Sequence, residues 1–249
     1  MTGAVAQIWR HPIKSHGRER LDRVSLTAGR TMPWDRTWAV THEQSKADGS
    51  GWEPCVNFSR CSKAPSLQAI SATLNPDTGT MTLSHPGRPD LKFNPETDQS
   101  WFIEWVAPLM PPGRAASVGI IRVPERGMTD TDYPSVSLIN LASHRAVSQR
   151  LGQDLSYLRW RGNFLIEGLG PWEEFEWIGK RLRIGEAELA VRERIVRCLA
   201  TTANPATGLR DADTLKALQE GWKHTDFGVY AEVVRSGDIR TGDKLEVLS

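Results

Sequence analysis

The most informative stretch of the chain is Arg197-Cys198-Leu199-Ala200-Thr201-Thr202-Ala203-Asn204-Pro205-Ala206-Thr207-Gly208. A cysteine acts as a nucleophile or as a metal ligand only as the thiolate, and nearby positive charge favours that form. Arg192, Arg194 and Arg197 precede Cys198 closely. The residues alone therefore predict either a reactive or metal-binding thiol or a small buried side chain, because free cysteines are commonly buried.

Three further segments accompany this stretch, two before it and one after it. They are His11-Pro12-Ile13-Lys14-Ser15, then Asp35-Arg36-Thr37-Trp38-Ala39-Val40, and finally Phe227-Gly228-Val229-Tyr230 with the later pair Gly242-Asp243. In this order the segments resemble the motifs of the MOSC family, the molybdenum cofactor sulfurase C-terminal domains. The resemblance covers nearly the whole chain and is nearest to the branch with the mitochondrial amidoxime reducing component and its bacterial relatives.

Short strand patterns dominate the rest of the chain. Alternating or β-branched runs bounded by Gly, Pro, Asn or Asp predict strands at residues 4–9, 23–26, 37–41, 67–74, 80–84, 117–123, 159–167, 180–184, 188–191, 229–234 and 244–248. Helical periodicity is confined to residues 97–109, with Trp101, Trp105 and Leu109 on one predicted core face, and to residues 141–151 and 211–222. This spacing of strands and turns favours a mostly β protein, a β-barrel with a few accessory helices.

A boundary within the chain is predicted at Pro111-Pro112-Gly113-Arg114, where turn residues cluster. We therefore expect a smaller β-rich N-terminal domain at residues 1–113 and a MOSC-like β-barrel domain at residues 114–249. The family resemblance implies that the two pack into one body, with a cofactor between them.

Composition narrows the range of functions. The 249 residues carry a net charge of +1, so charge gives no reason to expect nucleic acid or a membrane surface as a partner. Cys55, Cys61 and Cys198 are too few and too irregularly spaced for a disulfide framework, which favours a reducing compartment. No stretch approaches the roughly 20 apolar residues of a membrane span, so we expect a cytoplasmic protein.

The MOSC resemblance implies a set of site residues. In this family, molybdenum is held by the two sulfurs of a pterin dithiolene and by one protein thiolate, a soft ligand suited to such a sphere. By its place in the motif, Cys198 would be that metal ligand and the catalytic group. Lys14, Ser15 and Arg36 would hold the cofactor phosphate, and Arg161 and Asn163 would contact the cofactor.

Several of these assignments keep an alternative. On a strand over residues 159–167, Arg159, Arg161 and Asn163 would share one face, which suits either an anion site or a solvated surface. The Ser135 hydroxyl either bonds the cofactor, which we favour, or caps the following helix. Thr201 and Tyr230 either contact the cofactor or serve local packing.

The resemblance implies a molybdenum-cofactor oxidoreductase that reduces N-hydroxylated compounds such as amidoximes, hydroxylamines or N-oxides. No glycine-rich dinucleotide fingerprint follows a strand, so we expect electrons from a separate redox protein. The alternative is a carrier of the cofactor or of sulfur, with a persulfide on Cys198 supplied by a cysteine desulfurase. A third possibility is a barrel that only binds another protein.

Overall fold

The structure is a computed structural model that describes residues 3–248. Its strands are β1 (Gly3–Arg10), β2 (Glu19–Leu21), β3 (Arg23–Leu26), β4 (Trp38–His42), β5 (Ser71–Leu74), β6 (Met81–His85), β7 (Arg88–Phe93), β8 (Ser117–Arg122), β9 (Val136–Asn140), β10 (Phe164–Glu167), β11 (Arg181–Ile184), β12 (Ala187–Val196), β13 (Asp226–Arg235), β14 (Gly237–Arg240) and β15 (Lys244–Leu248). The α-helices are α1 (Gln99–Val106), α2 (Leu141–Leu151) and α3 (Thr214–Trp222). The predicted mostly β fold with a few helices is confirmed.

Seven strands close into a barrel in the order β1-β10-β9-β13-β12-β11-β15, with β15 pairing again with β1. The pair β9–β10 is parallel, and the other pairs of the barrel are antiparallel. Alternate residues along each strand point inward, and Val5, Leu138, Leu182 and Val229 are among those that fill the barrel. Burial of this apolar face is the main stabilising contribution of the barrel.

The first strand links the two halves of the chain. β1 lies in the segment assigned by sequence to the N-terminal domain, but it pairs with β10 and β15 and so closes the barrel. β3 likewise pairs with β14. The division at residues 113 and 114 stays a prediction, and the barrel depends on strands from both sides of it.

A second core lies beside the barrel, under the pair β4–β8 and the meander β5-β6-β7. Helix α1 covers this core with Phe102, Trp105 and Val106, which are spaced as one helical face. The prediction that Trp101 belongs to the buried stripe is wrong, because its side chain is 57% exposed. The face that meets the core is set by the packing of α1 on β7 and β8.

Two predicted strands begin later than expected. Residues 65–69 form a 3-10 turn before β5, and Tyr157–Trp160 forms another 3-10 turn before β10. Extended backbone is prevented at the second place because Arg161 adopts a left-handed conformation with φ 52°. Gly162 then packs so closely on Ile139 that a Cβ would lie 2.2 Å from Ile139 Cγ1. The prediction of a strand that aligns Arg159, Arg161 and Asn163 is therefore wrong.

Four short or buried strands, β2, β7, β9 and β14, were not predicted. β9 is buried at every position, so it lacks the alternation that marks a half-exposed strand. The hairpin between β5 and β6 forms as expected, with Gly79 at φ 66°. Among residues 3–248, none of the helices has the length and apolar character needed to cross a bilayer.

Candidate functional site

A cavity of about 620 Å³ opens where the barrel meets the second core. Its wall is built from the turn after β1, the loops at residues 52–62 and 130–132, the 3-10 turn before β10, and the end of β12. Seven of the nine residues that the sequence predicts for the site line this cavity, namely Lys14, Ser15, Arg36, Arg161, Cys198, Thr201 and Tyr230. Residues up to 216 positions apart in sequence are thus brought to one place.

The cavity is strongly basic although the whole chain is nearly neutral. Seven cationic residues line it, Lys14, Arg36, Arg60, Arg159, Arg161, Arg194 and Arg197, against the three acidic residues Asp130, Asp132 and Glu193. Such a concentration of positive charge in a concave site raises the local concentration of anions. The cavity therefore suits an anionic ligand.

Cys198 lies at the entrance to the 3-10 turn Leu199–Thr202, with an exposed side chain. Its carbonyl accepts two hydrogen bonds from Thr201, one from the backbone nitrogen and one from Oγ1, both at 3.1 Å. Arg159 in turn donates to the Thr201 carbonyl at 2.9 Å and forms a salt bridge with Asp211 at 3.2 Å. The turn that carries the thiol is therefore held in place by hydrogen bonds from Thr201 and Arg159.

The chain after this turn is held by the loop from Asn204 to Gly208. The Gly208 nitrogen donates to the Asn204 carbonyl at 2.8 Å, and Gly208 has φ 73°. A Cβ at this position would lie 2.7 Å from Ser66 Cα, so only glycine allows this close approach. Arg18 closes the loop from the second core by donating to the Pro205 carbonyl at 2.7 Å.

Arg197 adjoins the thiol, and its guanidinium is used by the fold. Nε donates to the Phe227 carbonyl and Nη1 donates to the Trp160 carbonyl, both at 2.8 Å. Burial lowers the pKa of Arg197 to about 10, which leaves it charged at neutral pH. Its role is to join the end of β12 to β13 and to place a positive charge next to Cys198.

Lys14 also lines the cavity, with a buried side chain. Its Nζ donates to the Met128 carbonyl at 2.7 Å and forms an ion pair with Asp130. Partial desolvation opposes ionisation of Asp130, whose side chain is 54% exposed, but the Lys14 ammonium outweighs this and lowers the pKa of the carboxyl. Two of the three ammonium hydrogens are thereby used, and one remains for a ligand.

Arg36 is oriented by a buried carboxylate and a neighbouring backbone. Its Nη1 pairs with Asp35, and its Nη2 donates to the Arg161 carbonyl at 2.9 Å. Burial opposes ionisation of Asp35, but the Arg36 charge and the hydrogen bonds from His11 hold its pKa well below the usual range. Burial, together with Arg161 and Arg36, lowers the pKa of His11 to about 3, so this imidazole is neutral.

Arg161 lines the cavity and keeps one donor nitrogen without a partner. Its Nη2 donates to the Gly17 carbonyl at 3.2 Å, whereas its Nη1 atom is buried and has no hydrogen-bond partner. An unpaired buried donor is costly, and a bound anion would satisfy it. The chemistry of the lining, one exposed thiol together with several cationic side chains, therefore fits a ligand that carries both a metal and a phosphate.

The structure places two predicted residues away from the cavity wall. Ser135 is buried, and its Oγ is bonded to Thr131 Oγ1 at 2.7 Å, while Asn140 caps α2 instead. Asn163 accepts from the backbone nitrogen and the hydroxyl of Ser137, at 3.1 and 2.9 Å. Ser135 and Asn163 therefore support the wall from behind.

Sequence reasoning did not assign Asp130, Ser137 or the cavity positions of Cys55 and Cys61, which also line the site. Ser137 belongs to the Asp132–Ser137 segment that the sequence singled out, but the sequence favoured Ser135, which does not line the cavity. Asp130 carries no sequence signal, because its role depends on a contact with Lys14 across 116 positions.

Comparisons with known proteins agree with this architecture. The family model described as MOSC domain matches residues 127–246, and the one described as MOSC N-terminal beta barrel domain matches residues 2–104. Mitochondrial amidoxime-reducing component 1 from Mus musculus is 23% identical over 99% of this chain and 82% of its own length. The protein of the same name from Homo sapiens is 23% identical over 99% of this chain and 83% of its own.

Two further similarities are more limited. Molybdenum cofactor sulfurase 2 from Culex quinquefasciatus is 34% identical over 31% of this chain and 10% of its own length. The crystal structure of the YUAD protein from Bacillus subtilis aligns with a TM-score of 0.50 and 13% identity, covering 99% of this chain and 96% of that chain. The second similarity concerns the fold alone.

Proposed function

The chain belongs to the MOSC domain family, and from this premise we propose that it binds the molybdenum cofactor in the cavity around Cys198. We further propose that the loaded protein is an oxidoreductase that reduces N-hydroxylated compounds. One observation carries the proposal: the exposed Cys198 thiol lies in a cavity lined by seven cationic residues, among them Arg161, whose buried Nη1 has no hydrogen-bond partner.

The names of the relatives also support a function that involves the molybdenum cofactor. Proteins similar over nearly the whole chain are amidoxime-reducing components, and one similar over a shorter segment is a molybdenum cofactor sulfurase. At 23% identity the relatives support a function associated with this cofactor. The reduction of N-hydroxylated substrates is our extension of that support.

When bound, the cofactor supplies two-electron redox chemistry and removal of an oxygen atom from the substrate. The chain contributes the Cys198 thiolate as a soft metal ligand. Thr201 and Arg159 keep the Cys198 turn in place, because they bond the Cys198 and Thr201 carbonyls. A ligand fixed from behind in this way is pre-organised, which lowers the cost of binding.

The phosphate of the cofactor would be held on the basic side of the cavity. Arg161 offers its unpaired Nη1, Lys14 its remaining ammonium hydrogen, and Arg36 the donors that Asp35 and Arg161 leave free. Ser15 and Tyr230 add hydroxyls to the lining. Burial, followed by the charge of Asp130, raises the pKa of Tyr230, so its hydroxyl stays protonated and can donate a hydrogen bond.

Electrons would come from a separate redox protein. The proposal rests on the sequence, which carries no glycine-rich dinucleotide fingerprint after a strand. We expect an external reductase to reload the site, whose thiol is accessible from solvent.

The exposed thiol also favours a second candidate function. Cys198 is open to solvent, so a cysteine desulfurase can reach it and leave a persulfide there. In this role the chain would carry sulfur or the cofactor to another protein and catalyse no reduction itself. Mass spectrometry of Cys198 separates the two functions, because a sulfane adduct without molybdenum supports the carrier.

The principal experiment measures molybdenum in protein purified from a host that makes the cofactor. We expect molybdenum in the wild-type protein and in a Cys55→Ser control, whose thiol lines the same cavity. Cys198→Ser should retain the fold and lose the metal. Molybdenum content that is unchanged in Cys198→Ser would refute the assignment.

A second experiment addresses the reaction. Metal-loaded protein should reduce hydroxylamine when a chemical reductant replaces the redox partner. Loaded protein without turnover on hydroxylamine or on an amidoxime would remove the reductase and leave the cofactor-binding proposal standing.

A further inference from the structure

A second cavity, of about 630 Å³, lies in the N-terminal half of the chain. Its wall comes from residues 42–63 and from the turn at residues 110–115, which includes the predicted domain boundary. Four cationic residues line it, Lys46, Arg60, Lys63 and Arg114, and Glu53 is the one acidic residue among its lining residues. None of the roles assigned to the first cavity uses Lys46, Lys63 or Arg114.

The positive charge of the second cavity is not compensated within the fold. Among the salt bridges of residues 3–248, none involves Lys46, Arg60, Lys63 or Arg114. Glu53 accepts a hydrogen bond from Asn57 Nδ2 at 2.9 Å. The lining of the second cavity therefore carries more positive than negative charge.

The base of the second cavity is built from buried polar contacts. Ser59 and Ser117 share a hydrogen bond at 2.8 Å, which ties the loop to the start of β8. Asn57 Oδ1 accepts from the Lys46 backbone nitrogen at 3.0 Å, which joins two parts of the segment 42–63. Gly113, at φ 73°, turns the chain at Arg114. These contacts hold the segments that carry the cationic residues in place.

We propose that the second cavity is a binding site for a small organic anion that carries several phosphate or carboxylate groups. Its volume falls in the range of about 300–1,000 Å³ that is typical of small-molecule sites, and such sites combine apolar walls with a few polar groups. Val56 and Met110 supply apolar surface beside the cations. The concave shape favours a small molecule over an extended polyanion, which would need a flat basic face.

The second cavity is adjacent to the first. Arg60 lines both cavities, and its Nη1 donates to Cys55 Sγ at 3.1 Å, on the wall of the first cavity. An anion bound by Arg60 would therefore lie next to the candidate cofactor site. The second site does not depend on the proposed function, because Lys46, Lys63 and Arg114 line the second cavity alone.

The test is calorimetric titration of the whole protein with pyrophosphate and, separately, with citrate, which distinguishes phosphate from carboxylate ligands. We expect binding of at least one probe, weakened by added NaCl because the contacts are between charges. The double variant Lys63→Gln/Arg114→Gln should bind about tenfold more weakly or worse, because it loses two charge-assisted contacts. The control is Lys92→Gln, an exposed lysine of β7 that lines neither cavity.

Two results would overturn the proposal. One is the absence of binding of either probe to the wild-type protein at millimolar concentration. The other is unchanged affinity in the double variant, which would assign the anion to the first cavity. Thermal unfolding confirms that the double variant is folded, and Lys46→Gln repeats the test if it is not. Neither readout uses molybdenum or turnover, so failure here leaves the proposed function untouched.

Discussion

Two sides of the first cavity use the same residue type in different ways. On the thiol wall, which comprises residues 197–202 and Arg159, the guanidiniums donate to backbone carbonyls and hold a turn. On the basic wall, which comprises Lys14, Arg36 and Arg161, cations are oriented by Asp130, Asp35 and backbone carbonyls, and Arg161 keeps a free donor. An arginine in one cavity can thus belong to the scaffold or to the binding surface. An arginine of the binding surface keeps a donor nitrogen without a partner in the fold.

The largest expected effect of a single substitution on stability comes from the thiol wall. Arg159→Met removes the donor to the Thr201 carbonyl and the partner of Asp211, from a side chain that is 1% exposed. We expect the free energy of unfolding to fall by about 3 kcal/mol, measured by urea denaturation. The control Arg192→Met removes an exposed ion pair with Glu232 and should cost less than about 1 kcal/mol. Equal losses in the two variants would contradict a structural role for Arg159.

The next effect concerns the loop that follows the thiol wall. Gly208→Ala adds left-handed backbone strain to a contact of 2.7 Å with Ser66 Cα, and it should cost about 2 kcal/mol of stability. The matched control is Gly152→Ala at φ 62°, where no atom lies within 4 Å of the added Cβ. It should cost about 1 kcal/mol, from the strain alone. Thermal unfolding of both variants measures the difference, and a Gly208→Ala variant as stable as the control would show that the loop can shift.

A substitution in the basic wall should weaken cofactor binding more than it lowers stability. Arg161→Gln removes the guanidinium whose Nη1 has no partner within the fold. We expect the dissociation constant of the cofactor to rise about tenfold, with little change in unfolding temperature. Molybdenum retained after prolonged dialysis measures the first quantity. A variant that loses stability and keeps its metal would place Arg161 with the scaffold and remove the distinction between the walls.

The last prediction is a dependence of stability on pH, caused by one buried histidine behind each wall. Burial lowers the pKa of His16, whose Nδ1 donates to the Lys14 carbonyl, and of His144, which bonds Trp160, to about 4 each. Below pH about 6.5 the unfolded chain binds protons at these histidines while the folded chain does not. Stability therefore falls as the pH drops from about 6.5 to 4, by up to about 1.4 kcal/mol per pH unit for each histidine.

Urea denaturation at about pH 7, 6 and 5 measures this slope. The slope of the unfolding free energy against pH reports the number of protons taken up on unfolding. This number should decrease by up to about one in His16→Asn and by up to about one in His144→Gln. In each variant the side-chain amide places an N–H donor close to the position of the donating ring nitrogen of the histidine. A slope that neither variant changes would mean that other groups govern the acid sensitivity.

Much of the candidate site was predictable because its residues lie in contiguous motifs. Cys198, Lys14, Arg36 and Arg161 all line one cavity, and their roles toward a cofactor stay predictions. The wrong predictions occur where packing distant in sequence sets the local backbone, as at Gly162, which packs on Ile139 beside the left-handed Arg161. The role of Ser135 stays a prediction; its hydroxyl is bonded to Thr131, and the residue does not line the cavity.

The sequence by itself determined the strand-rich class, the three helices and the thiol motif, because alternation, periodicity and turn residues act over a few neighbouring positions. Tertiary structure decided that β1 closes the barrel, that Asp130 pairs with Lys14, and that Arg159 braces the turn while Arg161 remains free. These outcomes depend on which distant groups meet in space. A guanidinium has five donors and no local rule for its partner, so only the packed fold assigns one.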